Sequence, residues 1–258
     1  MHGPGATVHC LPPDASGSVI FAGMELEETM SALQKLGTEQ TRKTWARHGA
    51  TGEYFGVKIG DMKGLLKKIK GRQHLAMELY DSGNLDAMYL AGLVADGARM
   101  SKKELEGWAK AARCPLISEF TVPWVASESP LARELAIKWI DSKQEHLACA
   151  GWNTYCGIVS VRPDAELDLN EVEKLLGRVE QEIGKAPNRV KYCMNGFVMA
   201  VAAAVKPLLG KAKATAKRIG KVEVDMGDTE CKVPVALQMI EKIESMGRVG
   251  LKRKTMKC

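Results

Sequence analysis

Apolar positions recur three and four residues apart in one segment of this chain after another, the period of a helix that buries a single face. Residues 24–36 place Met30, Leu33 and Leu36 on one side, Gly37 ends the run, and Thr38 stands where the next helix needs a cap. That second helix covers 39–48 and stops at Gly49. After a turn containing Tyr54-Phe-Gly-Val, Asp61 opens a helix over 62–69. Met62, Leu65, Leu66 and Ile69 turn inwards there, which leaves Lys63, Lys67, Lys68 and Lys70 to face water or a ligand. The middle continues in pairs: 74–80 with 85–95, 102–112 with 116–125, 131–140 with 145–161, and 170–183 with 188–206. Ser101-Lys-Lys-Glu104 reads as a capping box. A last helix, 235–246, follows Val233-Pro234 and is closed by Gly247.

No strand pair is evident, so the expected class is all-α. Equivalent helices return roughly every 30 to 40 residues, a spacing that suits HEAT-like pairs stacked into an α-α solenoid with a concave side. The units share no strong sequence identity, and a helical bundle of another kind stays open on this pattern alone. The expected organisation is a disordered extension over 1–23, one HEAT-like repeat domain over 24–247, and a short, mobile basic tail over 248–258 that tracks a polyanion or only aids solubility.

Composition supports helices packed on helices: 45% of residues are hydrophobic and only 5% aromatic, so Ala, Leu, Ile, Val and Met must build the core. The seven cysteines lack a CxxC pair and read as reduced thiols, with Cys149, Cys156 and Cys193 as small core residues. No apolar run approaches the roughly 18 to 20 residues of a membrane span, which points to a soluble, cytoplasmic protein, nucleoid-associated if bacterial. The histidines show no ligand spacing, and no Gly-rich phosphate loop, serine elbow or HExxH motif occurs. Neither metal nor cofactor is expected.

Charge distribution is more informative than the net +6. Nine basic residues stand against two acidic ones over 41–72, and thirteen against six over 206–258, while the stretch between carries fourteen against eighteen. Two basic segments flanking an acidic middle suggest a polyanion touched from both ends. The candidate phosphate contacts are Arg42, Lys43, Arg47, Lys58 and Lys63 in the first segment, and Lys206, Lys211, Lys213, Lys217, Arg218 and Lys221 in the second. The alternative for the second group is a solvated linker, because Ala212, Ala214 and Ala216 offer little to anchor a helix.

Five segments together resemble one known family. They are residues 36–48, Leu-Gly-Thr-Glu-Gln-Thr-Arg-Lys-Thr-Trp-Ala-Arg-His; residues 54–63, Tyr-Phe-Gly-Val-Lys-Ile-Gly-Asp-Met-Lys; residues 117–125, Ile-Ser-Glu-Phe-Thr-Val-Pro-Trp-Val; residues 148–152, Ala-Cys-Ala-Gly-Trp; and the ending over 247–258. The set is similar to AlkD-like DNA alkylation repair proteins. The resemblance implies a C-shaped array of HEAT-like pairs holding duplex DNA, and in enzymatic members hydrolysis of the N-glycosidic bond of N3- or N7-alkylated purines without base flipping. An alkylated purine already carries positive charge and leaves readily, so such an enzyme must chiefly stabilise the sugar cation, with a carboxylate and aromatic faces.

Carried over residue by residue, the family's catalytic carboxylate falls on Glu119, one methylene longer than the usual Asp. Its aromatic partner four positions earlier falls on Pro115, an Arg used near the lesion falls on Cys149, and a cleft Trp falls on or beside Gly196. Trp124, Trp152, Tyr155 and Phe197 are the aromatic residues available to compensate. The expected function is a monomeric DNA repair protein that binds duplex DNA and acts as an alkylpurine glycosylase. Two alternatives stay open: a non-catalytic binder of damaged or branched DNA on the same scaffold, and a helical-repeat scaffold for protein partners.

Overall fold

The computed structural model describes residues 24–257; the expectation of a disordered 1–23 lies outside them. The described residues form thirteen α-helices and no strand. The first five are α1 (Leu26–Leu36), α2 (Glu39–Arg47), α3 (Lys63–Ile69), α4 (Gln73–Asp81) and α5 (Leu85–Val94). They are followed by α6 (Lys102–Ala111), α7 (Val122–Glu128), α8 (Ala132–Ile140) and α9 (Glu145–Val161). The last four are α10 (Leu169–Glu182), α11 (Asn188–Ala204), α12 (Leu209–Ile219) and α13 (Ala236–Ser245). No single helix among them is long and apolar enough to cross a membrane.

Local signals set the helix starts. The Thr38 hydroxyl accepts from the Thr41 amide, the Asn84 side chain accepts from the amides of Asp86 and Ala87, and Asp168 accepts from that of Glu171. The capping box at Ser101 forms as expected, with Glu104 reaching back to the Ser101 amide at 2.7 Å. Neighbouring helices then pack in sequence, α4 on α5, α8 on α9, α9 on α11, and α11 on α12 and α13. Where α9 crosses α8, Gly151 permits the contact: a Cβ there would stand 2.4 Å from the Ile140 amide nitrogen.

Two apolar clusters form the core, one from α1 to α9 and the other from α8 onwards, with α8 and α9 contributing to both. Between successive units runs a ladder of ion pairs whose partners lie 31 to 38 residues apart: Lys102 with Glu134, Lys138 with Glu106, Arg133 with Glu171, Arg178 with Asp141, Arg218 with Glu180, and Lys213 with Glu244. Each exposed rung is worth little, about 0–1 kcal/mol. These separations fall within the repeat length expected from helix spacing, and the rungs tie each unit to the next.

Three elements differ from expectation. Residues 209–219 form α12 because Ala212, Thr215 and Ala216 are fully buried; small side chains bring the helix close to α10 and α11, where larger ones would hold it away. Residues 116–125 are not one regular helix but a π-helical turn, Ile117–Thr121, leading into α7. The tail is clasped along the stack instead of being mobile. Gly250 donates its amide to the Ala203 carbonyl, Arg253 donates its amide to that of Ser160, Lys252 pairs with Asp164, and Lys257 pairs with Glu128. Its lysines at 252 and 257 are therefore committed to the protein.

Candidate nucleic-acid interface

The turn that carries Glu119 owes its shape to Pro123. A proline has no amide hydrogen, so the carbonyl four residues earlier, that of Glu119, has no helical donor. The Asn153 side chain of α9 supplies one at 2.8 Å. Upstream, the Val122 amide reaches back five residues to the Ile117 carbonyl, the widened bond of a π turn. The added residue inverts the usual order of burial: the Glu119 side chain is 1% exposed, whereas Phe120 beside it is 42% exposed.

Inside, Glu119 meets Arg189 of α11. The guanidinium donates from Nε to Oε1 at 2.7 Å and from Nη2 to Oε2 at 2.5 Å, a bidentate pair that occupies both carboxylate oxygens. Arg189 is itself held on several sides. Its amide donates to Glu145 at 2.7 Å, its third nitrogen lies 3.3 Å from the Met226 sulfur, and its charge sits 4.7 Å above the Tyr192 ring. Burial pushes the Glu119 carboxyl up from the ordinary range, and the hydrogen bonds and charge of Arg189 pull against that rise. Burial opposes the Arg189 charge too, but Glu119 outweighs it and holds the guanidinium more firmly protonated than usual.

Cys149 and Cys193 complete this interior group; their sulfur atoms and a Glu119 oxygen lie within 4.8 Å of one another. These three could in principle hold a metal ion. Two features oppose it: the carboxylate already carries a cation, and burial, together with the neighbouring Cys149 thiol, raises the Cys193 thiol well above its ordinary value, keeping it protonated. Both cysteines are small core residues, as expected.

The four aromatic candidates are core residues, a correction to the expected cleft. Trp152 and Phe197 are fully buried with ring centroids 5.2 Å apart, and Tyr155 packs edge-on against Phe197 while donating its hydroxyl to Glu171. Trp124 is wedged between Tyr89 and Phe120. All four are at most 4% exposed, so they fill the centre of the stack. Pro115 does reach the site, in the wall of a cavity of about 230 Å³ that also includes Trp45, Ile59, Phe120 and Arg189. Phe120, Trp45 and Arg189 were not singled out from sequence. The signal available was Pro123 within a helical run, which announces a break just before it.

Segments far apart in the chain meet around this cavity. Thr44, Trp45 and His48, from α2 and the residue after it, face Met226, which lies in the irregular path between α12 and α13. That path is anchored by Asn188, whose side chain donates to the Asp225 carbonyl at 2.7 Å and accepts from the Asp225 amide at 2.8 Å. Gly227, at φ +72, fits against α2: a Cβ would fall 2.6 Å from the Arg47 carbonyl oxygen.

The two basic groups fare differently. Arg42, Arg47, Lys58 and Lys63 enter no ion pair among the described residues, and Lys43 makes only a 4.0 Å approach to Glu39. Their backbone is firmly held. The buried Asp86 carboxylate accepts from the amides of Phe55, Gly56 and Val57 at 2.6, 3.0 and 2.8 Å, fixing the turn that leads into Lys58. In the second group, Lys211 pairs with Glu173, Lys213 with Glu244, Arg218 with Glu180 and Lys221 with Glu223. Only Lys206 and Lys217 of that group are without an acidic partner among the described residues, and Lys213 and Arg218 belong to the inter-unit ladder.

Comparison with known proteins agrees with this architecture. Residues 29–208 match the family model described as DNA alkylation repair enzyme. An uncharacterised protein of Listeria innocua serovar 6a is 33% identical over 215 residues, covering 81% of this chain and 93% of that protein. One from Listeria monocytogenes serovar 1/2a is 32% identical with the same coverage. A solved structure superimposes with a TM-score of 0.84 at 38% identity, covering 91% of this chain and all of that one. It is described as a new family of proteins related to the HEAT-like repeat DNA glycosylases with affinity for branched DNA structures. The all-helical stack is thus HEAT-like, and the chain belongs to the DNA alkylation repair enzyme family.

Proposed function

We propose that this protein binds branched DNA through the basic face of α2 and the 58–63 segment, and does not excise alkylated bases. The observation that carries the reading is the closed pair of Glu119 with Arg189. Stabilising a sugar cation, or orienting a water for attack, needs a carboxylate oxygen free to meet the reacting centre. Here both oxygens accept from one guanidinium and the side chain is 1% exposed. Pro115 and Gly196 stand where aromatic walls would be, and the four remaining aromatic candidates are in the core.

The affinity for branched DNA ascribed to the 38% identical structural relative supports the choice of substrate. A branch is a junction of duplex arms, so a duplex-gripping surface is retained while the excision chemistry is dispensed with. Arg42, Arg47, Lys58 and Lys63 supply the grip, since they hold no acidic partner among the described residues. Fluorescence anisotropy with a three-way junction and a linear duplex of the same arm sequence tests the reading. We expect tighter junction binding, with log K falling linearly with log salt at a slope of about −3.6 if all four cations reach phosphates. Equal affinity for both DNAs, or binding indifferent to salt, would overturn it.

A further inference from the structure

We propose that the cavity beside Arg189 holds one unpaired nucleobase where the arms of a DNA branch separate, with Phe120 as its stacking platform. This rests on the branched-DNA reading and adds to it a defined subsite. Three observations converge. Phe120 is 42% exposed although its neighbours Thr121 and Val122 are buried, an arrangement that the π turn imposes and the core does not require. The cavity it borders is walled by Trp45, Ile59, Pro115 and Leu116, an apolar and partly aromatic lining suited to the face of a planar ring. Its volume of about 230 Å³ falls below the roughly 300–1,000 Å³ of pockets for drug-sized ligands, and so suits a single base.

The surroundings specify a nucleotide in preference to another flat apolar group. Arg189 places its Glu119-bound guanidinium in the wall, and Arg47 follows Trp45 by two residues on α2, beside the lining residues Thr44 and His48, where a phosphate attached to the inserted base can be met. Trp45 is backed by Tyr54 at 5.9 Å, which holds its ring in place. Extruding a paired base costs several kcal/mol, whereas a base already unpaired at a branch carries little of that cost. The subsite therefore favours junctions over intact duplex without reading sequence, because every base has a face to stack.

The test uses a three-way junction with 2-aminopurine at one unpaired branch position, titrated with the wild-type protein, Phe120→Ala and Ala50→Leu. The first variant removes an exposed ring, and the second enlarges a cavity wall while keeping that ring. Circular dichroism establishes that each is folded. Wild-type protein should change the 2-aminopurine emission on binding. Both variants should abolish that change and weaken junction binding roughly 5- to 150-fold, the range for losing one base–aromatic stack, with linear-duplex affinity unaltered. Folded variants that keep the emission change and the junction affinity overturn the subsite while leaving branched-DNA binding intact. Failure of the wild-type protein to prefer the junction overturns both.

Discussion

Replacing Arg189 by methionine would leave Glu119 buried without its cation. The carboxylate side chain is 1% exposed and receives two guanidinium hydrogen bonds, so it has no access to water as a substitute. Breaking a buried pair from one side costs about 3–5 kcal/mol. Because 21% of the Arg189 side chain still faces solvent, the lower end, about 3 kcal/mol, is the expected loss at neutral pH. Glu119→Gln should cost less, since the surviving guanidinium retains partial hydration. The double variant should recover part of the sum, giving a coupling energy of about 1–3 kcal/mol.

The pH dependence follows from burial. A carboxyl whose folded pKa is raised binds its proton more tightly in the native state, so its contribution to stability is greatest below the ordinary glutamate value near 4.3 and is lost as pH rises through the raised folded value. Arg189→Met removes the influences that pull the carboxyl down, and the loss should be larger at pH 8 than at pH 5. Urea unfolding followed by tryptophan fluorescence at both pH values measures this. Additive single variants, or an Arg189→Met loss below 1 kcal/mol at pH 8, would show that the pair is not the buried clasp described above.

Other outcomes can be checked in the same preparations. Asp86→Asn offers one oxygen to three backbone amides in place of two and turns an amide group towards donors; we expect a loss of about 2–3 kcal/mol in urea unfolding, and an unchanged midpoint would contradict it. Arg47→Ala or Lys58→Ala should each lower the steepness of the salt dependence of DNA binding by about 1. Lys211→Ala and Lys213→Ala, whose ammonium groups are paired with Glu173 and Glu244, should change it little. Ending the chain at Gly247 removes the clasp along α9 and α11 and should lower Tm by several degrees, while junction affinity stays within about twofold; a fall in affinity at constant Tm would return the tail to a DNA-contacting role.

Much of the helical order was legible because helix period and caps are local properties. Glu145–Val161 agrees with the expected range at both ends, and the Ser101 box forms where its motif stands. α12 was obscured because its anchoring residues are alanine and threonine, whose contribution depends on how closely a neighbour approaches and not on their own hydrophobicity. The ion pairs of the second basic group were hidden for a related reason: the acidic partners of Lys211, Lys213 and Arg218 lie 31 to 38 residues away, beyond any spacing rule within one helix. Glu119 was identified from the resemblance, but its engagement by Arg189, 70 positions later, depends on the crossing of the π turn with α11. Phe120 was hidden because a regular helix would not have buried the glutamate and exposed the phenylalanine.

The most direct measurement of the central claim is base release from duplex DNA carrying 7-methylguanine and 3-methyladenine, with protein at stoichiometric concentration and wild type compared with Glu119→Gln. A carboxylate closed off by Arg189 should give no release above the spontaneous rate in either protein, while junction binding persists in both. Release by the wild type that disappears in Glu119→Gln would mean that the carboxylate reaches the lesion after all.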